Sequence, residues 1–428
     1  MNGRRGVVIV DGVRTPFCKA WGVLQDVPAD SLARLAIGET MARVDLDPQA
    51  VDEVILGNVA QPAETTTLAR VAALRAGVPR RVPAVTVNRN CGSGTEAIVA
   101  AYHRVESGLA DVVIAGGAES MSRIPFQLPQ GFTRRVMGLR RARTPVQRAR
   151  ALFGFGREDL KPVPALEVGL RDAVSGLDMG QTAEVLARRF RIGRDEQDAF
   201  ALESHRRAVA GRARLREEIM PIFPPPKMEP VLDDVGPRED QSMEALQRLK
   251  PVFDKRYGTV TPGNSCMLTD GAAAVIVASE ERARALGMPY LGRIRSYAFA
   301  GLDPEVMGLG PVHAAHLALQ RAGLRLEDMQ LVEINEAFAA QVLAVLKAFA
   351  SRDFANDALG LEEPLGAIDP AILNVNGGAI ALGHPVGSSG TRIALTLLKE
   401  LARRDLTYGL AALCIGGGQG AALIVERS

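Results

Sequence analysis

Two rhythms of apolar residues alternate along the chain. Short β-branched or continuous runs such as Val7-Val8-Ile9-Val10, Ala84-Val85-Thr86-Val87 and Ala272-Ala273-Ala274-Val275-Ile276-Val277 have the length and composition of strands. Longer amphipathic stretches between them read as helices. Leu32 to Val59 reads as helix, short loop and strand, and His313 to Ala339 repeats that order. Asp111 to Ser120 and Leu410 to Gly420 are each an apolar strand closing on a glycine turn. Asn88 to Tyr102 and Asn374 to Leu398 each read as strand, turn and helix. Three such matches in one order predict a duplicated α/β unit, divided here into halves at 1–278 and 279–428.

The region between the repeats breaks the pattern. From about Ser122 to Pro251 the chain is rich in arginine and proline and poor in strand signals. Arg134, Arg135, Arg140, Arg141, Arg143, Arg148 and Arg150 lie close together. Asp195 is placed to cap a helix running to Ala213, and Pro221 and Pro224-Pro225-Pro226 punctuate an irregular stretch. Residues 121–250 are therefore expected to form an inserted loop subdomain that covers or edges a site in the first half.

Composition narrows the class without fixing it. At 428 residues the chain exceeds a single core, and 47% hydrophobic with 23% charged residues is ordinary for a globular protein. A net charge of +2 gives no sign of nucleic-acid binding. No apolar run is long enough to span a bilayer, and the N-terminus runs straight into a strand without a signal peptide. Cys18, Cys91, Cys266 and Cys414 are scattered, with no C-x-x-C pair and no metal-ligand spacing. Free thiols in a reducing, cytoplasmic compartment are expected, with no metal.

Cys91 carries the strongest chemical signal. It stands in Asn-Arg-Asn-Cys-Gly-Ser-Gly-Thr, between the run ending at Val87 and the small-residue helix beginning near Thr95. A cysteine at a helix N-terminus meets unpaired N–H groups and the positive end of the helix dipole, which favour a thiolate nucleophile. Such a nucleophile needs a base and an oxyanion site. His384 lies in the glycine-dense Gly377 to Arg392 stretch, whereas His103, His205, His313 and His316 lie in or at the start of helices. A neutral imidazole at His384 would accept a proton or donate to a carbonyl oxygen. Cys414 precedes Ile415-Gly416-Gly417-Gly418, whose N–H groups could hold an oxyanion, though a buried strand cysteine is an equal reading. Asn335, in Glu333 to Gln341, reads either as a catalytic amide or as a helix N-cap.

The blocks NRNCGSG, NEAFA, GHPVGSSG and CIGGGQG, in this order, resemble the four signature blocks of the thiolase family. The resemblance spans nearly the whole chain, from VVIVDGVRTPF to the final strand. It implies a layered αβαβα core. DMGQTAEVLARRF and YGTVTPGNSCMLTDGAAAV are similar to degradative members of the trifunctional β-subunit type, although those usually carry His where this chain has Asn335. The implied reaction is cleavage of 3-ketoacyl-CoA by CoA to acetyl-CoA and a shortened acyl-CoA, as in fatty-acid β-oxidation. Implied roles are acyl carrier for Cys91, thiol activation by His384, and acid–base work by Cys414. His384 with a water on Asn335 would form one oxyanion hole, and the N–H groups of Cys91 and Gly416 the other. Cys266 falls where biosynthetic thiolases place a serine near the pantetheine.

No cofactor is expected beyond CoA and acyl-CoA as substrates. The resemblance also implies a homodimer or homotetramer, and a hydratase/dehydrogenase subunit as a candidate partner. The insertion's arginines are candidates for the phosphates of CoA, and those at 134–150 for anionic lipid. Rival readings are acetoacetyl-CoA formation on the same site, a decarboxylating condensing enzyme, and a lipid carrier on the same scaffold.

Overall fold

A computed structural model describes residues 5–427. Nine strands build the sheet path: β1 (Val7–Arg14), β2 (Glu53–Gly57), β3 (Ala84–Val87), β4 (Val112–Ser120), β5 (Thr269–Ser279), β6 (Gly292–Gly301), β7 (Leu331–Ile334), β8 (Tyr408–Ile415) and β9 (Gln419–Arg427). Their spatial order is β7-β8-β9-β6-β1-β5-β4-β2-β3, and a short strand, Cys18–Lys19, pairs with β5. Within the sheet, the halves are joined where Val8 and Ile9 of β1 pair with Arg293 and Gly292 of β6.

The internal repeat appears as matching topology. In the first half β2 runs parallel to both β4 and β3. In the second, β7 runs parallel to β8 and bridges in parallel to Leu373, just ahead of the glycine-rich stretch. The helices α1 (Ala29–Arg43), α2 (Leu68–Arg75), α3 (Ser93–Glu106), α4 (Met179–Arg189), α5 (Arg194–Ala210), α6 (Gly310–Ala322), α7 (Ala339–Phe349) and α8 (Ser389–Arg404) complete the layers.

Strand alternation assigns each face. Val54, Leu56, Ile114 and Ile276 point to a core with Leu32 and Ile37 of α1. Their neighbours Ile55, Val113 and Val275 turn to a second core, shared with Ile98 of α3, Leu397 of α8 and Leu413 of β8. A third core packs α6 and α7 on the far face of the second-half strands. The sequence of layers is thus helix, strand, helix, strand, helix, with α3 and α8 in the middle. Both middle helices start from the loops that carry the candidate chemistry.

The insertion is mostly helical and irregular. Its helices Gln130–Arg141 and Pro145–Phe153 bury no residue. The expected cap at Asp195 is corrected: α5 starts one residue earlier and Gly193 holds the cap position, which leaves Asp195 inside the first turn. There its charge faces the positive end of the helix dipole instead of capping it. No helix among the described residues is long and apolar enough to cross a membrane.

Candidate active site

The Cys91 turn is held by short polar ties. Asn90 adopts φ +46°, its N–H donates to Asn88 Oδ1 at 2.9 Å, and Ser93 Oγ donates to the Asn90 carbonyl at 2.6 Å. The Arg89 guanidinium donates to Glu96 at 2.6 Å and Gln419 at 2.9 Å, and lies over the Phe299 ring. Asn90 Nδ2 donates to the Gly416 carbonyl at 2.8 Å, joining this turn to the glycine turn between β8 and β9. Gly417 and Gly418 in that turn have φ of +91° and +77°, which side chains rarely tolerate.

The two chemistry-bearing loops meet at helix starts packed backbone to backbone. A Cβ on Gly94 would lie 2.7 Å from the N of Thr391, and one on Gly390 would lie 2.5 Å from the N of Thr95. Glycine is the residue that allows α3 and α8 this approach. The segment Cys266–Thr269 then ties the remaining parts together. The Cys266 N–H donates to Ala337 O at 3.0 Å, and the His384 N–H donates to Thr269 Oγ1 at 3.0 Å.

His384 is buried, with a hydroxyl at one ring nitrogen and nothing at the other. Nδ1 lies 2.6 Å from Ser389 Oγ, and that hydroxyl donates its single proton to Pro385 O at 3.1 Å. With the Ser389 hydroxyl donating to Pro385 O, its oxygen accepts from Nδ1–H and Nε2 is a bare lone pair, the tautomer a general base needs. Nε2 is buried without a partner. Burial, with the Arg392 charge behind it, pushes the imidazole down to about 3, so it is neutral and able to take a proton.

Asn335 resolves the choice left open by sequence. The helix after it begins at Ala339 with Phe338 at the cap position, so Asn335 caps nothing. Its backbone N–H bonds to Ala412 O at 2.9 Å, while both amide atoms of its fully buried side chain lack a partner. Buried polar groups are rarely left so unless a ligand or water completes them.

The three thiols lie within electrostatic reach of one another. Burial pushes Cys414 well above the ordinary thiol value, and neighbouring Cys91 and Cys266 push it further. Cys266 is pushed up to about 12 by burial and by Cys91. For Cys91 the expected dipole effect is outweighed, and burial raises its thiol. The N–H groups of Gly416 and of Cys91 itself oppose that rise, as two donors at an oxyanion site would. The resting Cys91 is therefore a thiol that needs a base, not a preformed thiolate.

Cys91 opens onto a cavity of about 1160 Å³ bordered by Asn90, Gly416, Gly417, Met179 and Val386. Residues 121–127 at the start of the insertion and 165–179 further along it also line it in part. The arginines at 134–150 do not border it; Arg75, Arg123 and Arg171 do. Two functional residues escaped the sequence reading. Ser389, within GHPVGSSG, lies 2.6 Å from His384 Nδ1. Glu119, fully buried at the end of β4, accepts from Asn58 Nδ2 and the N–H groups of Val59, Ala60 and Gly387, each at 3.0 Å. Burial raises its carboxyl to about 7 against these donors. Its signal was a charged residue closing an otherwise apolar strand.

A half-buried thiol beside donor N–H groups, a neutral histidine and an unpartnered amide define an acyl-transfer centre on a duplicated αβαβα scaffold. The chain belongs to the thiolase family: residues 7–281 match the thiolase N-terminal domain and 288–427 the thiolase C-terminal domain. Among curated relatives, the 3-ketoacyl-CoA thiolase of Pectobacterium carotovorum subsp. carotovorum (strain PC1) is 41% identical over 99% of this chain and 97% of the relative. That of Yersinia pestis (strain Pestoides F) is 39% identical over 98% and 96%. Among solved structures, Bacillus anthracis acetyl-CoA acetyltransferase has TM-score 0.87 and 38% identity over the whole of both chains. Human mitochondrial 3-ketoacyl-CoA thiolase has TM-score 0.85 and 40% identity over 99% of each.

Proposed function

We propose that this chain is an acyltransferase that cleaves 3-ketoacyl-CoA with CoA, as its curated relatives are named to do. Cys91 Sγ attacks the C3 ketone while His384 Nε2 takes the thiol proton. The N–H groups of Cys91 and Gly416 hold the tetrahedral oxyanion. The C2–C3 bond breaks, leaving the acyl group on Cys91 and an acetyl-CoA enolate. The enolate oxygen is held by protonated His384 and by Asn335, directly or through a water. Cys414 protonates the enolate carbon, then takes the proton of the incoming CoA thiol. CoA attacks the Cys91 thioester, and His384 returns its proton to the departing sulfur. Every proton is accounted for by side chains of the site and the CoA thiol.

The observation that carries this reading is the pair of unpartnered buried groups, His384 Nε2 and the Asn335 amide, beside the segment that carries Cys266. Thiolysis of a 3-ketoacyl-CoA by the purified protein tests it. Cys91→Ala is expected to abolish turnover, and His384→Ala to lower it by about 10²–10⁴. Unchanged thiolysis in Cys91→Ala would refute the mechanism. Because Cys91 and Cys414 must both be reduced to act, the reading places the protein in a reducing, cytoplasmic compartment.

Two surfaces extend this reading to partners. Strand β3 ends the sheet with Val85 exposed, an open edge that a second copy of the chain would cover. A monomer mass in light scattering would reject that. The helices Gln130–Arg141 and Pro145–Phe153 carry six arginines, with Arg143 between them, and exposed Val146, Leu152 and Phe153, with no acidic residue, a surface suited to anionic lipid. Salt-sensitive binding to anionic liposomes is expected, and binding unaltered by neutralising those arginines would rule it out.

A further inference from the structure

Two segments that border the cavity above Cys91 are fastened to one side chain. The first follows β2 and supplies Val59 and Ala60 to the border; the second carries His384 and supplies Val386. Glu119 is fully buried and bonds to both segments. Its Oε1 accepts from Asn58 Nδ2 and the Ala60 N–H, and its Oε2 from the N–H groups of Val59 and Gly387, each at 3.0 Å. Oε2 alone therefore joins the cavity wall to the loop of the base. Gly387 allows the approach, because a Cβ there would lie 2.7 Å from that oxygen. Glu119 itself does not border the cavity.

All four partners of this carboxyl are donors. An ionised carboxylate offers acceptor sites alone, so it suits them all. A protonated carboxyl, or the amide of a glutamine, puts a hydrogen where an N–H already points, and a bond to the wall or to the loop is given up. Burial pushes the carboxyl up to about 7, which brings that exchange into the neutral range. Few ionisable groups face it. The start of α3 brings Cys91, whose raised thiol stays protonated at neutral pH and is pushed further up by the Glu119 charge. The base loop brings His384, which is neutral there. Strand β5 sets Gly271 opposite Glu119, and the adjacent Asp270 accepts from Ser122.

We propose that Glu119 is a positioning residue for acylation: its ionised carboxylate holds the cavity wall at 59–60 and the His384 loop at a fixed separation, and so places the base for the Cys91 thiol. The proposal rests on the thiolysis reading and adds to it a group that touches neither substrate nor reacting atoms. The direction of its pH dependence follows from the donors. Above about 7 the carboxylate is ionised, all four bonds are made and acylation is fast. As pH falls through that value a proton from solvent displaces one donor, and acylation slows.

The test is the rate at which a 3-ketoacyl-CoA acylates Cys91 without free CoA, followed by rapid quench and intact mass between about pH 6 and 8.5. Leaving out free CoA removes its thiol from the titration. The native rate is expected to fall about tenfold from pH 8 to pH 6, as one ionisation near 7 requires. Glu119→Gln is expected to be at least tenfold slower at pH 8 and to lose this dependence. Glu119→Asp, which keeps the charge on a shorter stem, should be slowed but retain it. A purely structural role would lower the active fraction and leave the shape of the profile unchanged. Glu119→Gln acylating at the native rate, or keeping the native profile, overturns the proposal. A kept profile would pass to Glu333, a carboxyl that burial pushes up to about 8. A native rate that is flat from pH 6 to 8 also overturns it, and that measurement needs neither variant to fold. Those results leave the thiolysis reading standing, whereas no acylation of Cys91 at any pH would overturn that reading and this role with it.

Discussion

At the residue scale, the arrangement turns on which nitrogen of His384 holds the proton. Ser389 favours Nδ1 when its own hydroxyl proton goes to Pro385 O, which lies 3.1 Å away. Removing that hydroxyl frees the ring to adopt the other tautomer, in which Nε2 carries a proton and cannot act as base. Ser389→Ala is expected to lower kcat by about ten- to a hundredfold, the lower part of the range for general-base catalysis, with KM little changed. Steady-state kinetics check this, and a wild-type kcat would show that the tautomer is set by other means. The cysteine and histidine were legible as chemistry from their glycine-rich settings. Asn335 was not, because an N-cap and a catalytic amide look alike until the helix start is seen at Ala339. The raised Cys91 thiol was also hidden, since burial depends on residues far along the chain.

At the element scale, the chemistry depends on loops being allowed to touch. Gly117 in β4 faces the His384 loop so closely that a Cβ there would lie 1.9 Å from the Gly387 carbonyl. Two residues on, Glu119 draws the same loop in through the Gly387 N–H. Gly117→Ala must push that loop away, because a backbone atom is the obstacle. An overpacking cost of about 1–3 kcal/mol is expected in chemical denaturation, together with a loss of kcat larger than the stability change alone would cause. A variant with native stability and turnover would contradict the close approach. The strand and helix pairs of each half were readable from apolar rhythm. The contact of Gly117 with Gly387 was not, as nothing local to either residue announces a partner so distant in the chain.

At the scale of the whole molecule, buried charges fasten the insertion to the duplicated core. Arg14 at the end of β1 is fully buried, donates to Glu218 at 2.6 Å and grips Asp234 with both terminal nitrogens at 2.6 and 2.7 Å. Both partners come from the inserted region, and Asp234 also accepts the Phe17 N–H at 2.7 Å. Arg14→Met would leave two buried carboxylates uncompensated, at a cost of about 3–5 kcal/mol. Denaturant titration should show this fall, and a loss below about 1 kcal/mol, the level of an exposed surface pair, would mean that the insertion is held by other contacts. The sequence marked this region as foreign to the repeat but gave no hint of its anchor, since a lone arginine in a strand looks like an edge residue.

The central claim is that the acyl group passes through Cys91. Intact-mass and peptide analysis after mixing the protein with a 3-ketoacyl-CoA, in the absence of free CoA, measures this most directly. The account predicts an added mass equal to the shortened acyl group on the peptide bearing Cys91, absent in Cys91→Ala and discharged when CoA is supplied. Turnover with no adduct at Cys91, or an adduct that CoA does not discharge, would contradict it.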